Sequence, residues 1–337
     1  MNDDGCVGLV QAGSRVGRLD VDAVLADGMR FIIDQVFVQP ISVGLLAMGG
    51  DLASAGQVTH AGADDACATD PVDVTGYGFD PVAGIAISGN NSLSAGASRG
   101  RVMMGMFRSV AQQGAWAVAS DDDGGTSENG RYNRFSDIAL MRVRPSGTSV
   151  PFRNDFNSLI TDGFRFNCLE DDDDIFFIAG LLGGSFHIEA FLTRTSIGTI
   201  VLTPGFEVSG GIIMSHNTSE SIDNDTGQLD NSANIGAFSG VGALQSCYYA
   251  FDLNGVGTTQ VTVGRRGGSV YMRGDEVASP AIDGSIEVTA IGPTTVTLTQ
   301  SIADPTAAQC IAILFGTRGQ VAVTGLVPSL GLLGVGQ

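Results

Sequence analysis

Gly78-Phe79-Asp80-Pro81-Val82-Ala83-Gly84-Ile85-Ala86-Ile87-Ser88-Gly89-Asn90 recurs as Gly205-Phe206-Glu207-Val208-Ser209-Gly210-Gly211-Ile212-Ile213-Met214-Ser215-His216-Asn217, and 205 − 78 = 127 residues separate the two. Each copy runs from turn residues into a short apolar stretch and out again through Ser and Asn. A unit copied within one chain defines the architecture, so this pair sets the frame for everything else.

A second landmark, Asp162-Gly163-Phe164-Arg165-Phe166, precedes an apolar segment ending Leu181-Leu182-Gly183-Gly184. It is matched to Asp283-Gly284-Ser285-Ile286-Glu287-Val288, followed by Ile313-Leu314-Phe315-Gly316, at 283 − 162 = 121 residues. The same landmark stands near the start as Asp27-Gly28-Met29-Arg30-Phe31, followed by Val43 to Gly50. Asp-Gly-aromatic reads as a tight turn feeding a strand: Asp bonds the backbone two residues on, Gly takes a positive φ, and the aromatic starts the buried face. The first 50 residues therefore read as the closing part of a unit, completing a sheet with a later segment or with a neighbouring subunit.

Between the landmarks the apolar segments are short, rich in Val, Ile and Phe, and bounded by Gly, Asp, Asn and Ser, as in Val82–Ile87, Ile138–Val143, Ile175–Ile178 and Cys310–Phe315. These are strand signals. Thr294 to Thr299 and Phe164 to Cys168 alternate polar with apolar, which buries one face and wets the other. No sustained helical spacing is present. The expectation is an all-β chain: two tandem antiparallel β-sandwich, jelly-roll-like repeats over 70–190 and 191–325, an N-terminal partial unit over 1–69, and an apolar Gly-rich tail over 326–337 that docks onto a neighbour.

Seventeen cations, all arginine, oppose 36 carboxylates, 29 of them aspartate, for a net charge of −19. That balance excludes nucleic acid as the main partner, because phosphate neutralisation needs a basic face. The start Met1-Asn2-Asp3-Asp4-Gly5 has neither the cationic nor the apolar part of a signal peptide, and no run of apolar residues is long enough to span a bilayer. Synthesis in a cytosol without membrane insertion is expected. Cys6, Cys67, Cys168, Cys247 and Cys310 are odd in number and contain no Cys-x-x-Cys pair, so they read as small buried apolar residues.

Four constellations carry candidate chemistry. Asp223-Asn224-Asp225-Thr226-Gly227-Gln228-Leu229-Asp230 spaces oxygen ligands around a Gly turn, so Asp223, Asp225 and Asp230 are the candidate ligands for Ca2+, against a solvated acidic turn. Asp171–Asp174 and Asp121–Asp123 sit where turns are expected and read as solubility or cation contacts. Trp116, Tyr248 and Tyr249 are the candidate glycan-stacking aromatics, against core packing. Gly96-Ala97-Ser98-Arg99-Gly100 has the letters of a hydrolase nucleophile elbow, but no helix follows it and a Gly/Ser turn is the plainer reading. His60, His187 and His216 have no metal spacing, which argues against metal-assisted hydrolysis and His-based triads. A glycosidase needs two opposed carboxylates in a cleft. No enzyme and no resident cofactor are expected.

Gly-Phe-x-Pro-Val opening a strand, a Gly-rich middle, Asp-Gly-Phe and a last strand ending in Gly together resemble tandem β-sandwich virion surface proteins of tailed, especially marine, bacteriophages. The resemblance spans roughly residues 20 to 325. The second copy departs from it at Val208, where the first has Pro81. In outline the units are also similar to H-type lectin domains. The resemblance implies a virion location, as fibre, spike or decoration protein, with other copies of itself in a trimer and other virion proteins as partners. Its lectin side implies a host surface glycan instead.

Overall fold

The computed structural model describes residues 7–11, 14–25, 28–35, 58–61, 71–88, 99–121, 128–135, 137–142, 152–170, 175–216, 231–252, 262–274 and 282–316. The chain is all-β, with antiparallel strands and one 3-10 turn, Gly242–Leu244, among these residues. It divides into two compact units. One comprises Met1–Leu45, Ser92–Ser98 and Gly331–Gln337, the other Leu46–Asn91 and Arg99–Leu330.

The smaller unit holds a three-stranded sheet, β1 (Val7–Gln11), β2 (Ser14–Leu25) and β3 (Gly28–Gln35), in that order.

In the larger unit the first ten strands are β4 (Val58–Ala61), β5 (Val72–Thr75), β6 (Ala83–Ser88), β7 (Arg99–Ser109), β8 (Gln112–Asp121), β9 (Glu128–Phe135), β10 (Leu140–Arg142), β11 (Phe152–Ile160), β12 (Gly163–Glu170) and β13 (Ile175–Leu181). They form a six-stranded sheet, β4-β13-β6-β7-β8-β9, and a four-stranded one, β10-β11-β12-β5. The next ten are β14 (Ser185–Leu192), β15 (Gly198–Leu202), β16 (Gly210–Ser215), β17 (Asn231–Phe238), β18 (Gln245–Asp252), β19 (Thr262–Gly267), β20 (Tyr271–Gly274), β21 (Ile282–Ile291), β22 (Val296–Ile302) and β23 (Gln309–Gly316). Their sheets are β14-β23-β16-β17-β18-β19 and β15-β22-β21-β20. Strand for strand, the second set repeats the first.

Within each repeat the two sheets share one apolar core. In the first, Val74, Leu140, Phe156, Phe164 and Phe166 of the smaller sheet meet Ala86, Met103, Phe107, Ala117, Phe176 and Ile178 of the larger. In the second, Leu202, Tyr271, Ile286, Val288, Val296 and Leu298 meet Phe191, Ile213, Phe238, Cys310, Ala312 and Leu314. Phe107 is stacked on Phe156 at 5.3 Å and edge-on to Phe164 and Phe166, each at 5.0 Å, so aromatic packing adds to area burial there. The opposite faces of the two six-stranded sheets meet in a third cluster, so four sheets lie in the order four, six, six, four strands.

Two glycines mark the point where the chain crosses between the sheets of a repeat. A Cβ on Gly105 would lie 2.0 Å from the Ala139 carbonyl oxygen, and one on Gly236 would lie 1.8 Å from that of Val270. Ala139 and Val270 hold the same place, just ahead of β10 and β20, and only a residue without a Cβ lets the backbone pass so close.

Bulges correct the second landmark. β11 and β12 pair Phe156 with Phe166 and then Ser158 with Arg165, skipping Asn157. β21 and β22 pair Val288 with Leu298 and then Ala290 with Thr297, skipping Thr289. Phe156 therefore corresponds to Val288, and Phe164 to Val296 rather than Ser285. Asp283-Gly284 is no turn: it lies inside β21, where Gly284 pairs with Arg273 and Asp283 bulges out of the register. Gly284 is needed for space, since a Cβ there would meet the Asp304 carboxylate.

The turn chemistry also differs from the sequence reading. The left-handed residue is Asp162, at φ 61°, not Gly163. Its carboxylate accepts from the backbone N–H of Gly76, at 3.1 Å, and of Gly78, and its own N–H donates to Asp80 at 2.8 Å. Asp tolerates αL better than most residues, and these bonds to the distant Gly76–Asp80 segment hold it there. Gly163 serves close approach instead: a Cβ there would lie 2.0 Å from the Val74 carbonyl oxygen on β5.

The same bulges occur in the smaller unit. β2 and β3 pair Val21 with Phe31 and then Ala23 with Arg30, skipping Asp22. A second irregularity follows in all three hairpins, at Arg18/Leu19, Arg153/Asn154 and Ser285/Ile286. The bulged residue is polar each time and bonds across the hairpin: Arg30 donates to Asp22, Asn157 donates to Asn167 at 2.7 Å, and the hydroxyls of Thr289 and Thr299 lie 2.9 Å apart. β1-β2-β3 is thus a third copy of β10-β11-β12.

Candidate functional site

The feature that most distinguishes this molecule is the seam between its two six-stranded sheets. Successive side chains of a strand point to opposite faces, so continuous apolar runs such as Ile212-Ile213-Met214 and Ile311-Ala312-Ile313-Leu314-Phe315 make both faces of these strands apolar and give each sheet a second surface to bury. Ala83, Ile85, Met106, Trp116 and Leu181 from the first repeat pack with Phe186, Ile188, Ile212, Met214, Ile311, Ile313 and Phe315 from the second.

Polar contacts fix the seam's register. The Trp116 indole Nε1 donates to the Ser215 carbonyl oxygen at 3.2 Å, and its ring stacks on His216, centroids 5.2 Å apart and planes 4° from parallel. Arg108 donates to the Phe186 carbonyl at 2.6 Å, and the Gln112 amide lies 3.1 Å from His187 Nδ1. The other ring nitrogen of His187 is 3.4 Å from Glu189.

Trp116 is 2% exposed, spent on this packing. Tyr248 occupies the equivalent position in the second repeat: Met104 pairs with Trp116 as Ile235 pairs with Tyr248. Its ring is half-buried and its hydroxyl is buried without a hydrogen-bond partner among the described residues. Tyr249 points to the other face of the sheet, where its ring covers Gly264 and Gly274. The three candidate aromatics therefore do not converge on one surface. Asp223, Asp225 and Asp230, Asp171 to Asp174, Ser98 and the tail 326–337 lie outside the described residues. His60 lies on β4, paired with Phe176.

Two sets of buried polar residues escaped the sequence reading. In the first set, Gln113 accepts at 2.6 Å from the backbone N–H of Phe156, while Gln245 accepts from Val288 N–H at 2.7 Å and donates to the Val288 carbonyl at 3.0 Å. Both glutamines are nearly fully buried. Each reaches from the six-stranded sheet to the backbone beside the bulge in the facing sheet, where the ladder leaves polar groups in need of a partner. Gln-x-Cys-Tyr and Gln-Gln-Gly-Ala-Trp give no hint of this pairing until the registers are known.

The second set surrounds Asp304, 2% exposed, in the connection from β22 to β23. Tyr271 donates to it at 3.2 Å and Gln300 at 3.4 Å, and its backbone N–H donates to the Arg194 carbonyl at 3.0 Å. Arg194 N–H donates in turn to Gln300 at 2.6 Å. Thr193 accepts from Ala308 N–H at 2.8 Å, and Arg273 donates to the Thr306 carbonyl at 3.3 Å. Burial pushes the Asp304 carboxyl up to about 6, against the opposing pull of Thr193, Arg273, Tyr271 and Gln300; burial first, then Asp304, drives the Tyr271 hydroxyl well above its usual value. This network ties the β14–β15 and β22–β23 connections to β20.

Of the described cysteines, Cys247 and Cys310 are the buried apolar residues expected, and Cys168 is not. Cys168 is disulfide-bonded, to a partner outside the described residues. Cys247 and Cys310 are free and buried, the former with its thiol pushed up to about 12 by burial, so they are inert apolar fillers rather than nucleophiles.

No family model, no curated protein and no solved structure matches the chain.

Proposed function

We propose that the protein is a structural component of a tailed-bacteriophage particle, a surface-exposed tail, fibre or head-decorating protein that assembles as a homo-oligomer with other virion proteins. The observation that carries this reading is the seam. Two ten-strand units meet face to face in a buried apolar layer, and Trp116, Arg108 and Gln112 beside it bond the backbone or side chains of the other repeat. Such an arrangement resists shear between the repeats, which suits a load-bearing part. In the cores Gln113 and Gln245 are likewise spent on backbone.

The test is the composition of purified particles. Peptides of this chain in washed virions, with antibody-gold label at one fixed position on the particle, support the reading. Their absence from particles, with the chain remaining in the soluble lysate, overturns it. Light scattering on the isolated protein is expected to give three times the chain mass. Saturable binding of that trimer to a glycan array would instead make the protein a host-recognition adhesin.

A further inference from the structure

The seam does not cover the whole of the face it uses. Phe177, Ile87, Met104 and Trp116 stand side by side across β13, β6, β7 and β8, one row of the surface that meets the second repeat. The second repeat has the same row in Ile311, Met214, Ile235 and Tyr248, across β23, β16, β17 and β18. The two rows are covered from opposite ends. Trp116 is 2% exposed while Phe177 and Ile87 are 41% and 42% exposed; Ile311 and Met214 are 1% and 0% exposed while Tyr248 is half-buried. Val102, two residues from Met104 on the same face, is 45% exposed.

Single exposed apolar side chains are ordinary, but three neighbours on one sheet face mark an interaction surface. β6, β7 and β13 are interior strands of their sheet, paired on both sides, so the strip is held in place. The alternation that exposes it also puts Ala86, Met103, Phe176 and Ile178 into the core, and the strip cannot turn inward without drawing those out. Two observations say what covers it. Through Met104 and Val118, which pack against the seam, the strip runs on into Ile85, Met106 and Trp116. Its counterparts in the second repeat, Ile311 and Met214, are sealed by the sheet face of another copy of the module. Among the described residues the chain has two six-stranded sheets, and their facing surfaces are already joined to each other, so a further face of that kind comes from a second chain.

We propose that Phe177, Ile87 and Val102 form a contact between copies of this chain, in which the apolar face of another copy's six-stranded sheet covers them as the seam covers Ile311 and Met214. The contact rests on the homo-oligomer of the proposed function and not on the virion location.

Light scattering over a dilution series tests it, on the wild-type chain, on Phe177→Asp and Ile87→Asp, and on Val201→Asp as a control. Val201 is 54% exposed on β15, in a four-stranded sheet away from the seam face. Both strip positions face water in the single chain, so an aspartate there stays hydrated until copies meet. The two strip variants are expected to have the mass of one chain, with unchanged circular dichroism, at concentrations where the wild type and Val201→Asp are oligomeric. Hydroxyl-radical footprinting of the wild type needs no variant and decides the matter should one misfold: oxidation of Phe177 should rise at least about threefold on dilution to single chains, while that of Trp116 stays low. Unchanged mass in either strip variant overturns the proposal. So does a wild-type chain that is single at every concentration, or an equal loss of mass in Val201→Asp. Phe177 oxidation that ignores dilution overturns it too, and would mean that a segment of the same chain lies over the strip. Particle composition is read separately: the chain can be present in washed virions with this contact refuted, or absent from them with the contact upheld.

Discussion

Single residues in this molecule do disproportionate structural duty where one sheet must be joined to the other. Gln245 satisfies both the N–H and the C=O of Val288, so Gln245→Ala leaves two buried backbone groups unpaired. A loss of about 2–6 kcal/mol is expected in urea unfolding, at roughly 1–3 kcal/mol per orphaned group, with Gln113→Ala, which in the facing sheet frees the Phe156 N–H but no carbonyl of that residue, costing less. Gly236→Ala drives a methyl group into the Val270 carbonyl, and more than about 3 kcal/mol of destabilisation should follow, read as loss of soluble protein. Asp304 gives a pH signature. Its folded-state value of about 6 lies above that of an exposed carboxyl, so the folded state holds the extra proton between about pH 4 and 6; stability is highest at the acid end of that window and falls as pH rises through 6. The fall is on the order of 2–3 kcal/mol, and Asp304→Asn should flatten it, as seen in unfolding midpoints measured at pH 4.5 and 7.

At the scale of elements, the sequence was informative about strands and poor about which strand answers to which. Short β-branched runs between Gly and Asp marked β6, β13, β16 and β23, and the 127-residue offset placed β6 against β16, where Gly78 and Gly205 share a positive φ of 74° and 83°. Asp283-Gly284 misled because the same two letters serve a turn in one place and the clearance around Asp304 in another. Only the bulges, which depend on hydrogen-bond register and leave no composition trace, reveal that Val288 stands where Phe156 does. Trp116 had two readings that alternation alone could not separate, because both faces of β8 are apolar; which face meets the second repeat is a property of the assembled sheets. Trp116→Ala should remove the stack on His216 and the bond to Ser215, costing about 3–5 kcal/mol, and it should split one calorimetric unfolding transition for residues 58–316 into two as the repeats uncouple.

For the whole molecule, all-β class and internal duplication were legible, whereas the stacking of four sheets was not. Stacking needs a second apolar face on β6, β7, β16 and β23, and a run such as Ile85-Ala86-Ile87 looks the same whether one side or both are covered. In each ten-strand repeat the first strand lies beside the last: β4 pairs with β13, and β14 with β23. The chain therefore enters and leaves a repeat through one shared ladder. A gene coding for such a closed module can gain or shed a whole copy by recombination without breaking a ladder, provided the seam face of the remaining repeat is covered again, so related genes should differ in length by steps of one module, on the order of 130 codons, rather than by scattered insertions.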